Sequence, residues 1–412
     1  MNIERLKKTL NEINQIGCSD KGITRLAYTE EEKQATDHFI SLCKKEGLLV
    51  RIDECGNVIA RREGANPELP VVAMGSHLDT VKSGGKFDGT LGVISGLEVI
   101  RTLNEKEIET QHPIELISFA CEESARFGVS TIGSKAMTGS LNKDKIENLK
   151  DGKGISISNA FSSKGLEFSK VGQSKREQKE FKAFFELHVE QGPILEKENK
   201  KIGIVTGIAS PTRLEVVVKG KQSHSGTTPM NNRKDALLGA AEISLELEKA
   251  AKKEADKGTV ATVGVLDVKE SAMNVVPGEV MIKIDIRSTS IESKQKVLEE
   301  IKQSFNRIAN KRWLTIDWKV LGDELPVLLD EQIVKDLSEL CEHLAISYIH
   351  MPSGAGHDAM NMATICPTGL IFVPSAEGLS HHPDEYTSIE DIGVGVQLLE
   401  EIILKYAVSR TS

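Results

Sequence analysis

The residues best suited to chemistry begin with His77, which follows a short apolar, β-branched run at residues 69–74. This run predicts a buried strand, and ligands bind at the carboxyl ends of such strands in α/β sheets. A neutral imidazole is a good metal ligand, and Asp79 is placed to orient the His77 ring through its carboxylate. Asp88 follows a glycine-containing turn, and its two oxygens could bridge two cations. A hydrogen-bonded His–Asp pair without a metal is the simpler alternative, and both stay open at this point.

Three further strand ends carry residues of the same types. Glu122 and Glu123 follow one predicted strand, and His188 follows another. His381 lies in a late loop, three residues after Gly378. Taken alone, two adjacent glutamates more often form a solvated acidic turn or a helix N-terminus. Histidines and carboxylates at four strand ends are instead what a two-metal site requires, and because neighbouring side chains diverge, one carboxylate can bind metal while the other acts as a base.

Composition and charge limit which partners and which cellular compartment the sequence predicts. The 412 residues exceed the usual size of one core, which predicts two domains. The net charge of −9 argues against a nucleic acid or an anionic membrane as partner. The first residues lack the apolar core of a signal peptide, and no apolar run reaches membrane-spanning length. The six cysteines show no paired spacing, so we expect reduced thiols and a cytoplasmic location.

The order of predicted elements indicates an α/β fold with an insertion. Strands and helices alternate in the first half, which predicts a mostly parallel mixed sheet flanked by helices. The middle of the chain follows the order β-α-β-β-α-β, the signature of a ferredoxin-like sandwich. Later residues resume the chemistry of the first part. We therefore assign residues 1–210 and 326–412 to a catalytic domain and residues 211–325 to an inserted α+β domain.

Six short motifs carry the residues named above. They are Gly75-Ser76-His77-Leu78-Asp79-Thr80, Phe87-Asp88-Gly89, Glu122-Glu123-Ser124-Ala125-Arg126-Phe127, His188-Val189-Glu190-Gln191-Gly192-Pro193, His224-Ser225-Gly226-Thr227-Thr228-Pro229-Met230 and Gly378-Leu379-Ser380-His381. In this order, over about residues 50–400, they resemble the N-carbamoyl-L-amino-acid hydrolases. That family belongs with allantoate amidohydrolase and β-ureidopropionase in the aminoacylase and carboxypeptidase G superfamily of dinuclear metallohydrolases.

The resemblance implies two divalent cations in each chain. Their ligands would be, in chain order, His77, Asp88, Glu123, His188 and His381. Asp88 would bridge the two cations, with His77 on the first and Glu123 on the second. His382 follows His381 directly, so the choice between these two histidines stays open, although His381 directly follows Gly-Leu-Ser as in the family motif. Zinc suits this donor set best, and manganese, cobalt and nickel are alternatives.

The same resemblance implies a reaction on a small ureido or amide substrate. Glu122 would act as general base in hydrolysis of the N-carbamoyl group of N-carbamoyl-L-amino acids, giving an amino acid, ammonia and carbon dioxide. An allantoate or ureidoglycolate amidohydrolase or a β-ureidopropionase would use nearly the same residues, whereas His188 disfavours an aminoacylase or dipeptidase. A non-catalytic protein of this fold is disfavoured because Glu122 and all the ligands are present. A phosphate-handling enzyme is disfavoured because no phosphate-loop Lys-Ser/Thr follows the glycines.

Four residues outside the metal set would contact the substrate or the transition state. Arg287 would bind the substrate carboxylate through paired donors. Asn274 and Gln191 would also contact the substrate, although both residues suit ordinary turns. His224 would donate to the developing oxyanion in the neighbouring subunit of a homodimer formed through the inserted domains. Capping of its own loop is the alternative role for His224.

Overall fold

The chain folds into helices and strands that a computed structural model describes for residues 1–408. The α-helices are α1 (Ile3–Asn14), α2 (Glu30–Lys45), α3 (Thr90–Glu105), α4 (Ile132–Thr138), α5 (Lys143–Ile146), α6 (Ile157–Ser163), α7 (Ile194–Lys197), α8 (Ala236–Lys253), α9 (Ile291–Arg312), α10 (Glu331–His343), α11 (Asp358–Met362) and α12 (Ile389–Val408). The strands are β1 (Cys18–Ser19), β2 (Gly22–Ile23), β3 (Leu49–Ile52), β4 (Val58–Arg62), β5 (Val71–His77), β6 (Ile114–Phe119), β7 (Phe181–Val189), β8 (Ile202–Ile208), β9 (Ser210–Lys219), β10 (Ser223–His224), β11 (Val260–Val268), β12 (Val275–Val276), β13 (Glu279–Ser288), β14 (Thr315–Asp323), β15 (Val327–Leu328), β16 (Tyr348–Ser353) and β17 (Thr368–Val373).

Contacts divide these elements into two compact units. The first unit runs to Thr206 and resumes at Leu329, and the second is Gly207–Leu328. The pair Ser210-Pro211, which the sequence suggests as a boundary, instead forms the first residues of β9. Pro211 is the second residue of β9, and a proline is tolerated near the beginning of a strand.

The first unit is built on a mixed sheet. Seven of its strands follow the order β8-β17-β7-β5-β6-β4-β3, and β16 pairs with β8. The inner strands β17, β7, β5 and β6 run parallel, and the outer pairs are antiparallel. Every residue of β5, β6 and β17 is buried, as expected for parallel strands covered on both faces. The predicted α/β class with a mostly parallel central sheet is confirmed.

Helix α3 sets the position of one predicted metal ligand. Its residues 90–103 are all buried, and it packs on β5 and β7. Gly92 allows close packing, since a Cβ at this position would overlap the carbonyl oxygen of Leu187 in β7. Because Asp88 lies just before α3, the packing of the helix fixes where this carboxylate emerges. Among residues 1–408 there is no helix with both the length and the apolar character needed to cross a bilayer.

The second unit is a four-stranded antiparallel sheet with two helices. Its strands follow the order β11-β13-β9-β14, and α8 and α9 pack against the sheet. In β9 the side chains of Leu214, Val216 and Val218 are buried, which is the period-two pattern of a strand covered on one face. The order β-α-β-β-α-β and this strand arrangement give the ferredoxin-like fold that the sequence predicts.

Candidate metal centre

Three neighbouring parallel strands deliver the first candidate ligands to one edge of the sheet. His77 is the last residue of β5, and His188 is the penultimate residue of β7. Glu122 and Glu123 follow shortly after the end of β6, which pairs with β5 in parallel. Because the carboxyl ends of parallel strands lie at the same edge, these side chains converge. All four are buried.

The converging side chains form two groups that share Asp88. The first group is His77, Asp88 and His188, and the second is Asp88, Glu123 and His381. Asp88 Oδ1 lies 3.2 Å from His188 Nε2 and 3.5 Å from His77 Nε2. Asp88 Oδ2 lies 3.4 Å from His381 Nε2, which is itself 3.3 Å from Glu123 Oε1. Each oxygen of Asp88 therefore faces a different group, as in a bridging carboxylate.

The spacing of these atoms fits a metal ion. Two ligands bound at ~2.0–2.1 Å to a tetrahedral ion lie about 3.3 Å apart. Four of the six separations in the two groups are 3.2, 3.3, 3.4 and 3.5 Å, and the ligand atoms of each group all lie within 4.8 Å of one another. The donors are imidazole nitrogens and carboxylate oxygens, which suit zinc and other first-row divalent cations.

The histidine tautomers point to the same conclusion. Nδ1 of His77 lies 2.9 Å from the backbone oxygen of Asp79, and Nδ1 of His188 lies 2.9 Å from that of Val189. Each Nδ1 therefore donates its proton to a carbonyl, which leaves a lone pair on Nε2 of the neutral ring. Nε2 of His188 accepts the backbone N–H of Gly89 at 3.1 Å. At His77 the Nε2 lone pair and the Asp88 carboxylate oxygen, 3.5 Å apart, repel each other unless a positive charge, either a proton or a metal ion, lies between them.

The contacts of Asp79 differ from those that the sequence predicts. Its carboxylate is 3.7 Å from His77 Nδ1, and the ring is instead held by the Asp79 backbone oxygen. The carboxylate accepts the backbone N–H groups of Glu122 at 3.1 Å and of Glu123 at 3.0 Å. The prediction that the Asp79 carboxylate orients His77 is therefore wrong. The carbonyl does this, while the carboxylate fixes the backbone of the two glutamates.

The pKa shifts show that the site attracts positive charge. Burial alone would raise the pKa of the Asp88 carboxyl, but hydrogen bonds from three histidines hold this pKa well below its usual range. Burial alone would lower the pKa of His77, but Glu122 and the nearby aspartates raise it well above its usual value. Hydrogen bonds to Asp88 and Glu123 raise the pKa of His381 to about 10. Protons held at these atoms are replaced when a cation binds.

Left-handed backbone conformations cluster around the site. Cys121, Gln191 and His381 have φ angles of 52°, 60° and 55°, which are uncommon for residues other than glycine. Gly89 has a φ of 65°, and a Cβ there would overlap the His77 ring. These sharp turns bring ligands from separate loops close together, and the packed strands and helix beneath them hold the strained conformations in place.

The structure differentiates the two adjacent histidines. The His381 ring faces Asp88 and Glu123, whereas His382 Nδ1 accepts the backbone N–H of Asp384 at 3.2 Å. Gln191 also lies at the centre, because its Nε2 donates to Asp88 Oδ2 at 2.8 Å. The predicted substrate contact of Gln191 is untested by this geometry and stays a prediction.

A buried polar layer lies behind the centre, and the sequence assigns no role to its Glu186. Glu186 accepts the hydroxyl of Ser76 at 2.8 Å and the backbone N–H of Ala359 at 2.9 Å. The His357 ring packs edge-on against His188, with centroids 4.6 Å apart. Burial and the neighbouring His188 lower the pKa of His357 well below its usual value. Glu186 could have been found from the sequence, because it lies two residues before His188 and so on the same face of β7.

Glu385 is a second residue without an assigned role from the sequence. It is 2% exposed, and its Oε1 accepts the backbone N–H groups of Phe87 at 2.8 Å and of Asp88 at 3.0 Å. Burial raises the pKa of this carboxyl to about 7. No local pattern signals such a role, because the bonded partners lie almost three hundred residues apart in the chain.

The remaining predicted site residues belong to the second unit, Gly207–Leu328. His224 pairs with Val275 where β10 meets β12, and the next residue donates its N–H to the carbonyl of Asn274 at 2.9 Å. His224 and Asn274 are therefore neighbours. Arg287 lies on β13, and its Nε donates to Asp285 Oδ1 at 2.8 Å.

Comparison with known proteins identifies the family. Residues 73–405 match the sequence pattern of peptidase family M20/M25/M40, so the chain belongs to this family. Its members generally depend on a dinuclear metal centre, in agreement with the two groups that share Asp88.

The relatives narrow the reaction class. An uncharacterized hydrolase of Haemophilus influenzae is 46% identical over 407 residues, which is 99% of each chain. An N-carbamoyl-L-amino acid amidohydrolase of Geobacillus stearothermophilus is 40% identical over 98% of each chain. The crystal structure of a hydantoinase/carbamoylase family amidase from Burkholderia multivorans has a TM-score of 0.93 and 34% identity, covering 100% of this chain and 99% of that one. The chain is an amidohydrolase, a hydrolase that cleaves C–N bonds.

Proposed function

We propose that this amidohydrolase removes the N-carbamoyl group of N-carbamoyl-L-amino acids, giving the amino acid, ammonia and carbon dioxide. The observation that carries the proposal is the pair of ligand groups joined by Asp88, with Glu122 beside them. The Geobacillus stearothermophilus relative named for this activity supports the choice of substrate. The metal ligands in the proposal are His77, Asp88, Glu123, His188 and His381.

Two divalent cations, with zinc as the first choice and manganese, cobalt or nickel as alternatives, would lower the pKa of a water molecule and polarise the ureido carbonyl. Glu122 is the proposed general base. Its Oε2 lies 3.7 Å from His77 Nε2, so the carboxylate stands beside the first ligand group. Burial raises the pKa of Glu122 well above its usual value, which suits a group that takes a proton from water and passes it to the departing nitrogen.

The second unit would supply substrate contacts. Nδ1 of His224 accepts the N–H groups of Gly226 at 3.0 Å and Thr227 at 3.2 Å. The ring proton of a neutral His224 therefore lies on Nε2, the nitrogen that would donate to an oxyanion. Loop capping and oxyanion stabilisation use different nitrogens, so the two roles are compatible. Arg287 would bind the substrate carboxylate, and Asn274 would contact the substrate next to His224.

We further propose the assembly and compartment that the sequence suggests. Residues 211–325 would form the inserted domain of a homodimer, with the His224 loop completing the partner's site. All six cysteines are free, and five of them are buried, which supports a reducing, cytoplasmic location.

A substrate panel tests the proposed function. We expect N-carbamoyl-L-amino acids to show the highest kcat/KM among N-carbamoyl-L-amino acids, allantoate, N-carbamoyl-β-alanine and N-acetyl-amino acids. The matched control is Glu122→Gln, which should lose roughly 10²-fold or more in kcat on every compound that the wild type hydrolyses. Turnover of allantoate without turnover of any N-carbamoyl-L-amino acid would instead assign the chain to the allantoate amidohydrolases.

A further inference from the structure

Glu385 connects two loops of the metal centre that are distant in sequence. Its Oε1 accepts the N–H groups of Phe87 and Asp88, and its Oε2 lies 3.3 Å from the hydroxyl of Ser380. The same hydroxyl lies 3.0 Å from Asp88 Oδ2, and Ser380 directly precedes His381. One buried carboxylate therefore contacts both the loop of the bridging ligand and the loop of the second group's histidine.

The hydrogen bonds constrain the backbone from which the Asp88 side chain extends. Two consecutive N–H groups aimed at a single oxygen fix the two peptide planes around Phe87 and the start of Asp88. These bonds hold the Asp88 Cα in place at the point from which its two oxygens face the two ligand groups. Without this acceptor, two backbone donors near the centre would lose their partner, and the loop would relax to find another.

The packing around Glu385 is close and specific. A Cβ at Gly85 would overlap the Glu385 side chain, so the turn before Asp88 is shaped to fit against this carboxylate. Within residues 1–408 no lysine, arginine or histidine forms an ion pair with Glu385. The carboxylate is thus held by the donors of the two ligand loops and not by a basic side chain.

We propose that Glu385 is a positioning residue for the metal centre, which aligns Asp88 and the His381 loop through hydrogen bonds. The proposal rests on the proposed function, because Asp88 must be the bridging ligand for its alignment to matter. The role is geometric, so a neutral acceptor of the same length should replace the carboxylate, whereas a shorter carboxylate should not.

Metal affinity tests this role independently of turnover. Zn²⁺ is titrated into metal-free protein in competition with a chromophoric chelator, for wild type, Glu385→Ala, Glu385→Gln and Glu385→Asp. We expect Glu385→Ala and Glu385→Asp to lose about 10- to 100-fold in affinity, the usual effect of removing a group that orients a metal ligand. Glu385→Gln keeps an oxygen at the same distance and should retain most of the wild-type affinity.

Asp235→Ala is the matched control. Asp235 accepts the N–H groups of Leu237 at 3.0 Å and Leu238 at 3.1 Å within the second unit, so its loss removes a similar pair of bonds from another place. This variant should keep the wild-type zinc affinity. If Glu385→Ala does not fold, the comparison of Glu385→Asp with Glu385→Gln decides the matter.

Two results would overturn the positioning role. One is wild-type zinc affinity in folded Glu385→Ala or Glu385→Asp. The other is an affinity that follows charge, retained in Glu385→Asp and lost in Glu385→Gln. A wild-type protein that binds no second zinc ion would instead contradict the dinuclear centre itself, so the two failures are distinguishable.

Discussion

Replacing Asp79 with asparagine separates two roles of this residue. The backbone oxygen that holds His77 is unchanged by the substitution, whereas the carboxylate that accepts the N–H groups of Glu122 and Glu123 is lost. An asparagine side chain offers one acceptor and one donor, so one of these two N–H groups would face an NH₂ group. The variant therefore perturbs the two glutamates and leaves the orientation of His77 intact.

The size of the effect follows from these contacts. Asp79 is 2% exposed, and one unsatisfied buried donor costs about 1–3 kcal/mol, so we expect the metal-free protein to lose ~2 kcal/mol of unfolding free energy. A small displacement of the general base and of a metal ligand should lower kcat about 10- to 100-fold. Urea unfolding of the metal-free protein and steady-state kinetics at saturating metal measure the two quantities.

Asp53→Asn is the control for this prediction. Asp53 is also buried, and its Oδ1 accepts the N–H groups of Cys55 at 3.0 Å and Asn57 at 2.9 Å within its own turn. An asparagine keeps this oxygen but loses the acceptor for Asn57 Nδ2, which donates to Asp53 Oδ2 at 2.7 Å. The variant should therefore lose a similar unfolding free energy while kcat stays close to the wild-type value. If Asp79→Asn lost stability and kept its kcat, the carboxylate would have no part in placing the glutamates, and the reasoning would be refuted.

Three further predictions concern separate parts of the site. Glu122→Gln should keep both metals but lose roughly 10²-fold or more in kcat, whereas Glu123→Gln should weaken metal binding; exchanged phenotypes would contradict the assignment of the two roles. Arg287→Ala should raise KM for a carboxylate substrate far more than for its amide, and equal losses would exclude a carboxylate contact. Inactive Glu122→Gln and His224→Ala chains, when reassembled together, should recover about a quarter of wild-type activity if the site is shared between subunits, because half the dimers are mixed and each holds one intact site. Verified heterodimers without activity would rule out sharing.

The sequence predicts much of the fold because apolar runs and their order have a local physical meaning. β5 begins with a continuous apolar run, residues 71–74, and β9 of the second unit shows clean alternation of buried and more exposed residues. Among the strands longer than two residues, the sequence does not predict β4 and β16. Val58–Arg62 has only three buried residues before two arginines, and Tyr348–Ser353 contains an exposed histidine and an exposed proline, so neither has a sequence with a clear apolar period of two.

The site was predictable to the extent that its residues follow strands. His77, His188 and the two glutamates lie at adjacent strand ends, which a strand prediction alone brings together. The partners of Asp79 and Glu385 were not predictable, because their bonds join loops whose approach depends on the packing of the whole unit. The carboxylate and the backbone carbonyl of Asp79 belong to the same residue. The sequence therefore could not show which of the two contacts His77.

The metal content of the purified protein tests the central claim most directly. Elemental analysis, combined with titration of metal-free protein and activity measured in parallel, gives the number of ions needed for turnover. We expect two divalent cations per chain, and chelation should abolish turnover without unfolding the first unit. One tightly bound ion per fully active chain, with no gain in activity on adding more, would contradict a centre in which Asp88 bridges two metals.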